Sequence, residues 1–95
     1  MSAHIYRYEF NADVPLEDVE ASLVLAILGT ESLHGETEVQ LCTSHYFDHQ
    51  LRSCVIDSEG EVGNDLNRLF AGFLRREFGP ESFSVKRQAD SPLAA

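Results

Sequence analysis

Along residues 3–11 the chain alternates: Tyr6, Tyr8 and Phe10 fall on one side, and Ile5, Arg7 and Glu9 on the other. A period of two belongs to a strand with one buried face, so this segment is read as the first strand. The rhythm then changes. Leu16, Val19, Leu23, Ala26, Ile27, Thr30 and Leu33 recur at spacings of three and four, the period of a helix with one stripe against a core. Asp13 is placed to cap it, and Pro15 suits a first turn. Glu17, Asp18 and Glu20 put negative charge at the positive end of the helix dipole. Glycine inside a helix costs about 1 kcal/mol relative to alanine. Gly29 therefore limits the expected helix to 15–28, with Gly35 as its outer bound.

Residues 37–47 return to alternation, with Val39, Leu41, Thr43, His45 and Phe47 against Glu38, Gln40, Cys42, Ser44 and Tyr46. This predicts a second strand. "LRSCVID" predicts a third, and the short polar link "DHQ" makes the pair a hairpin. Ser58 and Glu61 then have the spacing of a capping box. Val62, Leu66, Leu69, Phe70, Phe73 and Leu74 follow at helical spacing, and Arg75 and Arg76 precede Gly79-Pro80, the punctuation of a helix end. "SFSVKR", with Phe83 and Val85 on one face, is the fourth strand.

The order strand, helix, strand, strand, helix, strand predicts an α+β fold. Two right-handed βαβ units give the ferredoxin-like βαββαβ sandwich, a four-stranded antiparallel sheet with two helices on one face. A single domain is expected over 1–88. "ADSPLAA", residues 89–95, lacks periodicity and is read as a flexible C-terminal tail.

Charge narrows the function. Sixteen Asp and Glu against seven Lys and Arg give a net charge of −9, a field that repels nucleic-acid backbones and anionic membranes. Residues 1–50 hold nine acidic residues and one basic one, Arg7, so the first half carries most of it. The aromatic residues Tyr6, Tyr8 and Phe83 fall with the core-facing set. The open sheet face is left with Arg7, Glu9, Gln40, Cys42, Ser84 and Lys86, which is unlike a surface that stacks RNA bases. The longest apolar run, Leu23 to Leu28, is too short to span a bilayer, and "MSAHIYRYEF" lacks a signal-peptide pattern. Two cysteines without an export signal point to a reducing cytoplasm.

One stretch has the letters of a metal site. "LCTSHYFDHQLRSC" gathers Cys42, His45, His49 and Cys54, the ligand types zinc uses. If residues 37–47 run as a strand, however, Cys42 and His45 point to opposite faces and cannot converge on one ion. Whether Cys54 joins Cys42 then depends on the hairpin register. Two small residues packed on strands are the ordinary fate of free cysteines. A metal-binding or thiol-redox role for this hairpin is the second functional reading. A third makes His45 an acid or base near Asp48 or Asp57, with no oriented partner to support it.

The first reading rests on the helix at 15–28. At 100° per residue Ala21, Val24, Leu25 and Leu28 form a second apolar stripe away from the core stripe. A solvated helix back has no use for these residues, so unless a loop or the C-terminal tail covers it the stripe predicts a contact surface. Arg68, Arg75 and Arg76 lie off the core stripe of the later helix and can meet the acidic half of another copy. The sequence thus predicts a small non-enzymatic interaction or regulatory/accessory protein that forms a homodimer or meets another protein partner.

Overall fold

The computed structural model describes residues 4–88, so the expected tail at 89–95 lies outside the described residues. Four strands form one antiparallel sheet: β1 (His4–Phe10), β2 (Thr43–Asp48), β3 (Ser53–Ser58) and β4 (Phe83–Gln88), in the order β2-β3-β1-β4. Three helices complete an α+β architecture: α1 (Leu16–His34), α2 (Glu36–Cys42) and α3 (Gly60–Phe78).

The alternation in β1 sets the layering. Tyr8 pairs with Cys54 of β3 and Val85 of β4, and Tyr6 pairs with Ile56. Paired residues share a face, so these side chains lie on the helix side of the sheet. Tyr8, Phe10, Cys54 and Ile56 meet Val19, Leu23 and Ala26 of α1 and Leu66, Phe70 and Leu74 of α3 in one buried cluster. The Tyr8 and Phe70 rings are 4.8 Å apart and tilted, a geometry aromatic quadrupoles favour. The Tyr8 hydroxyl donates to Asn67 Oδ1 at 2.5 Å, and Asn67 Nδ2 donates to Gly63 O at 2.9 Å. Burial of the tyrosine therefore leaves no polar atom stranded.

The first helix runs past Gly29 to His34, because burial of Val19, Leu23, Ala26 and Thr30 outweighs one glycine's propensity cost. Leu33, grouped with the core stripe from the sequence, is instead 67% exposed. Asp13 does not cap this helix. Pro15 occupies the cap position without a side-chain hydrogen bond. The loop ahead of it is held by Arg52, whose guanidinium donates to the carbonyls of Asn11 and Val14. Arg52 itself sits at φ 51° in the β2–β3 turn, so a hairpin residue fixes the entry to α1.

Residues 37–42, expected as the start of the second strand, are helical. Gly35 at φ 94° ends α1 and redirects the chain into α2, a backbone conformation that glycine adopts at little cost. Val39 is the one buried anchor of α2, whereas Leu41 is 72% exposed. Thr43 Oγ1 then donates to Val39 O at 2.8 Å, and β2 begins at Thr43. The third strand starts at Ser53 rather than Leu51, behind a four-residue turn in which Asp48 accepts the Leu51 N–H.

The capping box expected from Ser58 and Glu61 does not form. Glu59 is the cap residue of α3, without a side-chain bond, and Ser58 ends β3 as a buried residue. Gly63 crosses so close to it that a Cβ there would stand 2.5 Å from the Ser58 side chain. The other end follows expectation: Arg75 and Arg76 occupy the last turn, and the Gly79 N–H bonds Arg75 O.

Candidate functional site

The apolar stripe expected on the first helix is open. Val24 is 54% exposed, Leu25 58% and Leu28 52%, and Ala21 is exposed with them. All four lie on the arc of α1 opposite Val19, Leu23, Ala26 and Thr30, the residues that face the core. Among the described residues nothing covers this stripe. Its neighbours on the helix are acidic: Glu17 and Asp18 in the first turn, and Glu20 toward the hairpin, where its carboxylate lies 3.3 Å from His49 Nε2.

The Cys/His stretch is dispersed. Cys42 closes α2, so strand alternation does not govern it, and its thiol lies 3.9 Å from Glu38 Oε1. Loss of hydration, then the Glu38 and Glu59 carboxylates, push that thiol's pKa up. His45 is an exposed residue of β2 and His49 an exposed residue of the turn. Cys54, opposite Phe47, is fully buried in the core. Burial, aided by the Glu20 carboxylate, raises its thiol from an ordinary 9.0 to about 12. Metal ligation needs the thiolate, and this environment opposes it. Among the described residues no group of three or more His, Cys, Asp and Glu side chains is arranged to hold a metal ion. Asp57 lies on the face of β3 opposite the one that carries His45, because Asp57 pairs with Ser44 and His45 with Ile56. Asp48 stabilises the turn.

The face of the sheet away from the helices carries the row Tyr46, Val55, Arg7 and Lys86 across the four strands. Arg7, Glu9, Ser84 and Lys86 stand where the sequence put them, whereas Gln40 and Cys42 are removed to α2. Arg7 is neutralised by Glu9 at 3.1 Å.

A groove that the sequence did not reveal lies on the helix side, between the flank of α3 and strands β1 and β4. It has a volume of about 530 Å³ and is lined by Tyr6, Asn64, Asn67, Arg68, Arg75 and Val85, among others. Its floor exists because β4 is an edge strand that α3 does not reach across, leaving Val85 40% exposed. A larger depression of about 600 Å³ beside the entry to α1 is bordered by Asp13, Pro15, Phe78 and Glu81, with acids as its charged groups. Comparison with family models, with curated proteins and with solved structures found no match to this chain. Among the described residues no helix is long and apolar enough to cross a membrane.

Proposed function

We propose that this chain is a ferredoxin-like interaction domain, carrying one added helix, that self-associates through the outer face of α1 and acts as a cytoplasmic regulatory or accessory protein. The fold reading is supported by the strand order. Read from the other edge it is β4-β1-β3-β2, the order that two interleaved βαβ units generate. The cytoplasmic reading is supported by two free cysteines, which suit a reducing compartment.

One observation carries the functional reading: Val24, Leu25 and Leu28 are each more than half exposed on the side of α1 turned from the core. Folding does not require these side chains, and water disfavours them by about 25 cal/mol per Å² of apolar surface. A second copy presenting the same stripe would bury both, in an isologous contact.

Sedimentation velocity on the full chain, with and without Leu25→Glu and Leu28→Glu together, tests this. The unchanged chain is expected to sediment as a dimer and the double variant as a monomer with an unaltered circular dichroism spectrum. A wild-type monomer at about 100 μM, a concentration at which a Kd tighter than that still favours association, would sink the proposal. So would a double variant that stays dimeric.

A further inference from the structure

Arg68 and Arg75 are separated by seven residues on one flank of α3, about 10 Å along the helix axis at 1.5 Å per residue. Asn64, Asn67, Arg68, Ala71 and Arg75 fall on that flank at spacings of three and four, and all border the same groove. Among the described residues neither arginine forms an ion pair; the pairs are Arg7–Glu9, His34–Asp65 and His49–Glu20. Arg68 also borders a small hollow with Glu61 and Asp65. Asp65, however, is engaged by His34 Nε2 at 2.7 Å. In a chain of net charge −9, two unpaired guanidinium groups in one concavity run against the general field.

The rest of the lining mixes apolar and amide side chains. Tyr6 and Val85 supply an apolar floor from β1 and β4. Asn67 is held rigid by Tyr8, Ser58 and Gly63, whereas Asn64 is exposed and lies beside Arg68. A volume of about 530 Å³ lies within the usual range for small-molecule sites. Guanidinium groups bind carboxylate and phosphate oxygens through paired, charge-assisted hydrogen bonds.

We infer that this groove binds a small organic dianion, with an anionic group at each of Arg68 and Arg75 and a flat apolar body between them over Tyr6 and Val85. The site is separate from the α1 stripe and does not rest on self-association.

The test is an NMR titration of the full chain with naphthalene-2,6-dicarboxylate, repeated with Arg68→Gln, Arg75→Gln and Arg76→Gln. Arg76 shares the last turn of α3 but does not border the groove, so it controls for general attraction. Saturable shifts are expected at Asn64, Ala71 and Val85. Each groove variant should weaken binding by about tenfold, the loss of roughly one charged hydrogen bond, while Arg76→Gln leaves it within about twofold. Benzoate, with one carboxylate, should bind more weakly than the dianion. Arg68→Lys and Arg75→Lys keep the charge but lose the fork, and should fall between wild type and the Gln variants; they give the same ranking if a Gln variant folds poorly. Absence of saturable shifts up to about 10 mM would overturn the inference. Equal loss in Arg76→Gln would do the same, as would collapse of self-association in Arg68→Gln with Arg75→Gln, which would assign the arginines to the contact between copies.

Discussion

The helices α1 and α3 have equal length, 19 residues each, and lie over the same sheet, yet they treat water differently. The inner stripe of α3 is Val62, Leu66, Phe70 and Leu74, and its outer side turns Arg68, Arg75 and Arg76 outward. Its apolar residues are nearly all accounted for by the core. The inner stripe of α1 is comparable, with Val19, Leu23 and Ala26 buried, but its outer side repeats the apolar choice in Val24, Leu25 and Leu28. Packing explains the whole of α3 and only half of α1. The unexplained half is where a contact is sought, and Arg68 and Arg75 of α3, which form no ion pair among the described residues, are where a ligand is sought.

The largest expected effect separates the two helices by truncation. Phe70→Ala removes a fully buried ring that packs on Tyr8 and should cost about 3–5 kcal/mol in urea unfolding, enough to unfold much of a small domain. Leu25→Ala on the outer face of α1 should change monomer stability by less than about 0.5 kcal/mol. If Leu25→Ala proved as costly as a core truncation, the α1 face would be covered within the monomer and the contrast between the helices would fail.

A smaller difference lies in two helical glycines. At Gly63 of α3 a Cβ would meet the Ser58 Cβ and Oγ at 2.5 Å, at the end of a strand. Gly63→Ala should therefore destabilise by about 1–3 kcal/mol, despite alanine's better helix propensity. At Gly29 of α1 the nearest atom is Leu69 Cδ1 at 3.1 Å, the free end of a side chain that can turn aside. Gly29→Ala should be neutral or stabilising, by at most about 1 kcal/mol. Thermal melts of the two variants in parallel check the pair, and equal losses would mean that the α1–α3 contact is as unyielding as the α3–β3 contact.

The existence and core stripes of both helices were legible because each offers four or more buried positions at helical spacing, although their caps and the length of α1 were not. The outer stripe of α1 was legible because its apolar residues recur at the same helical period. Between them, α2 was not. Seven residues with one anchor, Val39, fit a period of two as well as a period of 3.6, and the exposed Leu41 supplied a false beat. That misreading also put Cys42 on a strand and framed the Cys/His stretch as a question of alternation, when the decisive fact was the burial of Cys54. The groove was hidden for a different reason. Tyr6, Arg68 and Val85 come from three elements far apart in the chain, and the flank that joins Asn64 to Arg75 reads, taken alone, as an ordinary solvated helix face.

Cys54 sharpens the account of the shared core through pH. Its thiol is raised from 9.0 to about 12 in the folded chain, by burial first and by the Glu20 carboxylate of α1 second. Below pH 9 both states keep the proton, and this contribution to stability is fully present. As pH rises above 9 the unfolded thiol ionises while the folded one does not, so the unfolded state binds fewer protons and stability falls. The slope approaches about 1.4 kcal/mol per pH unit. Urea unfolding between pH 8 and 10 should show this decline in the unchanged chain and a weaker one in Cys54→Ala. Tyr8, whose burial raises its own pKa above the usual 10.0, adds a decline of the same sign near pH 10 in both chains, so the difference from Cys54→Ala isolates the thiol. Equal slopes would mean that Cys54 is more hydrated than its position implies.

The smallest effect concerns the outer face of α3. Gly72 has open space where a Cβ would stand, so alanine there meets no neighbour and gains helix propensity. Gly72→Ala should stabilise by about 0.5–1 kcal/mol, read as a small upward shift of the melting temperature. The same substitution should leave self-association and groove binding unchanged, because Gly72 borders neither the α1 stripe nor the groove. A loss of self-association in this variant would move the contact from α1 to the back of α3. The comparison would then be inverted, since the helix whose residues packing explains would be the one that meets the second copy.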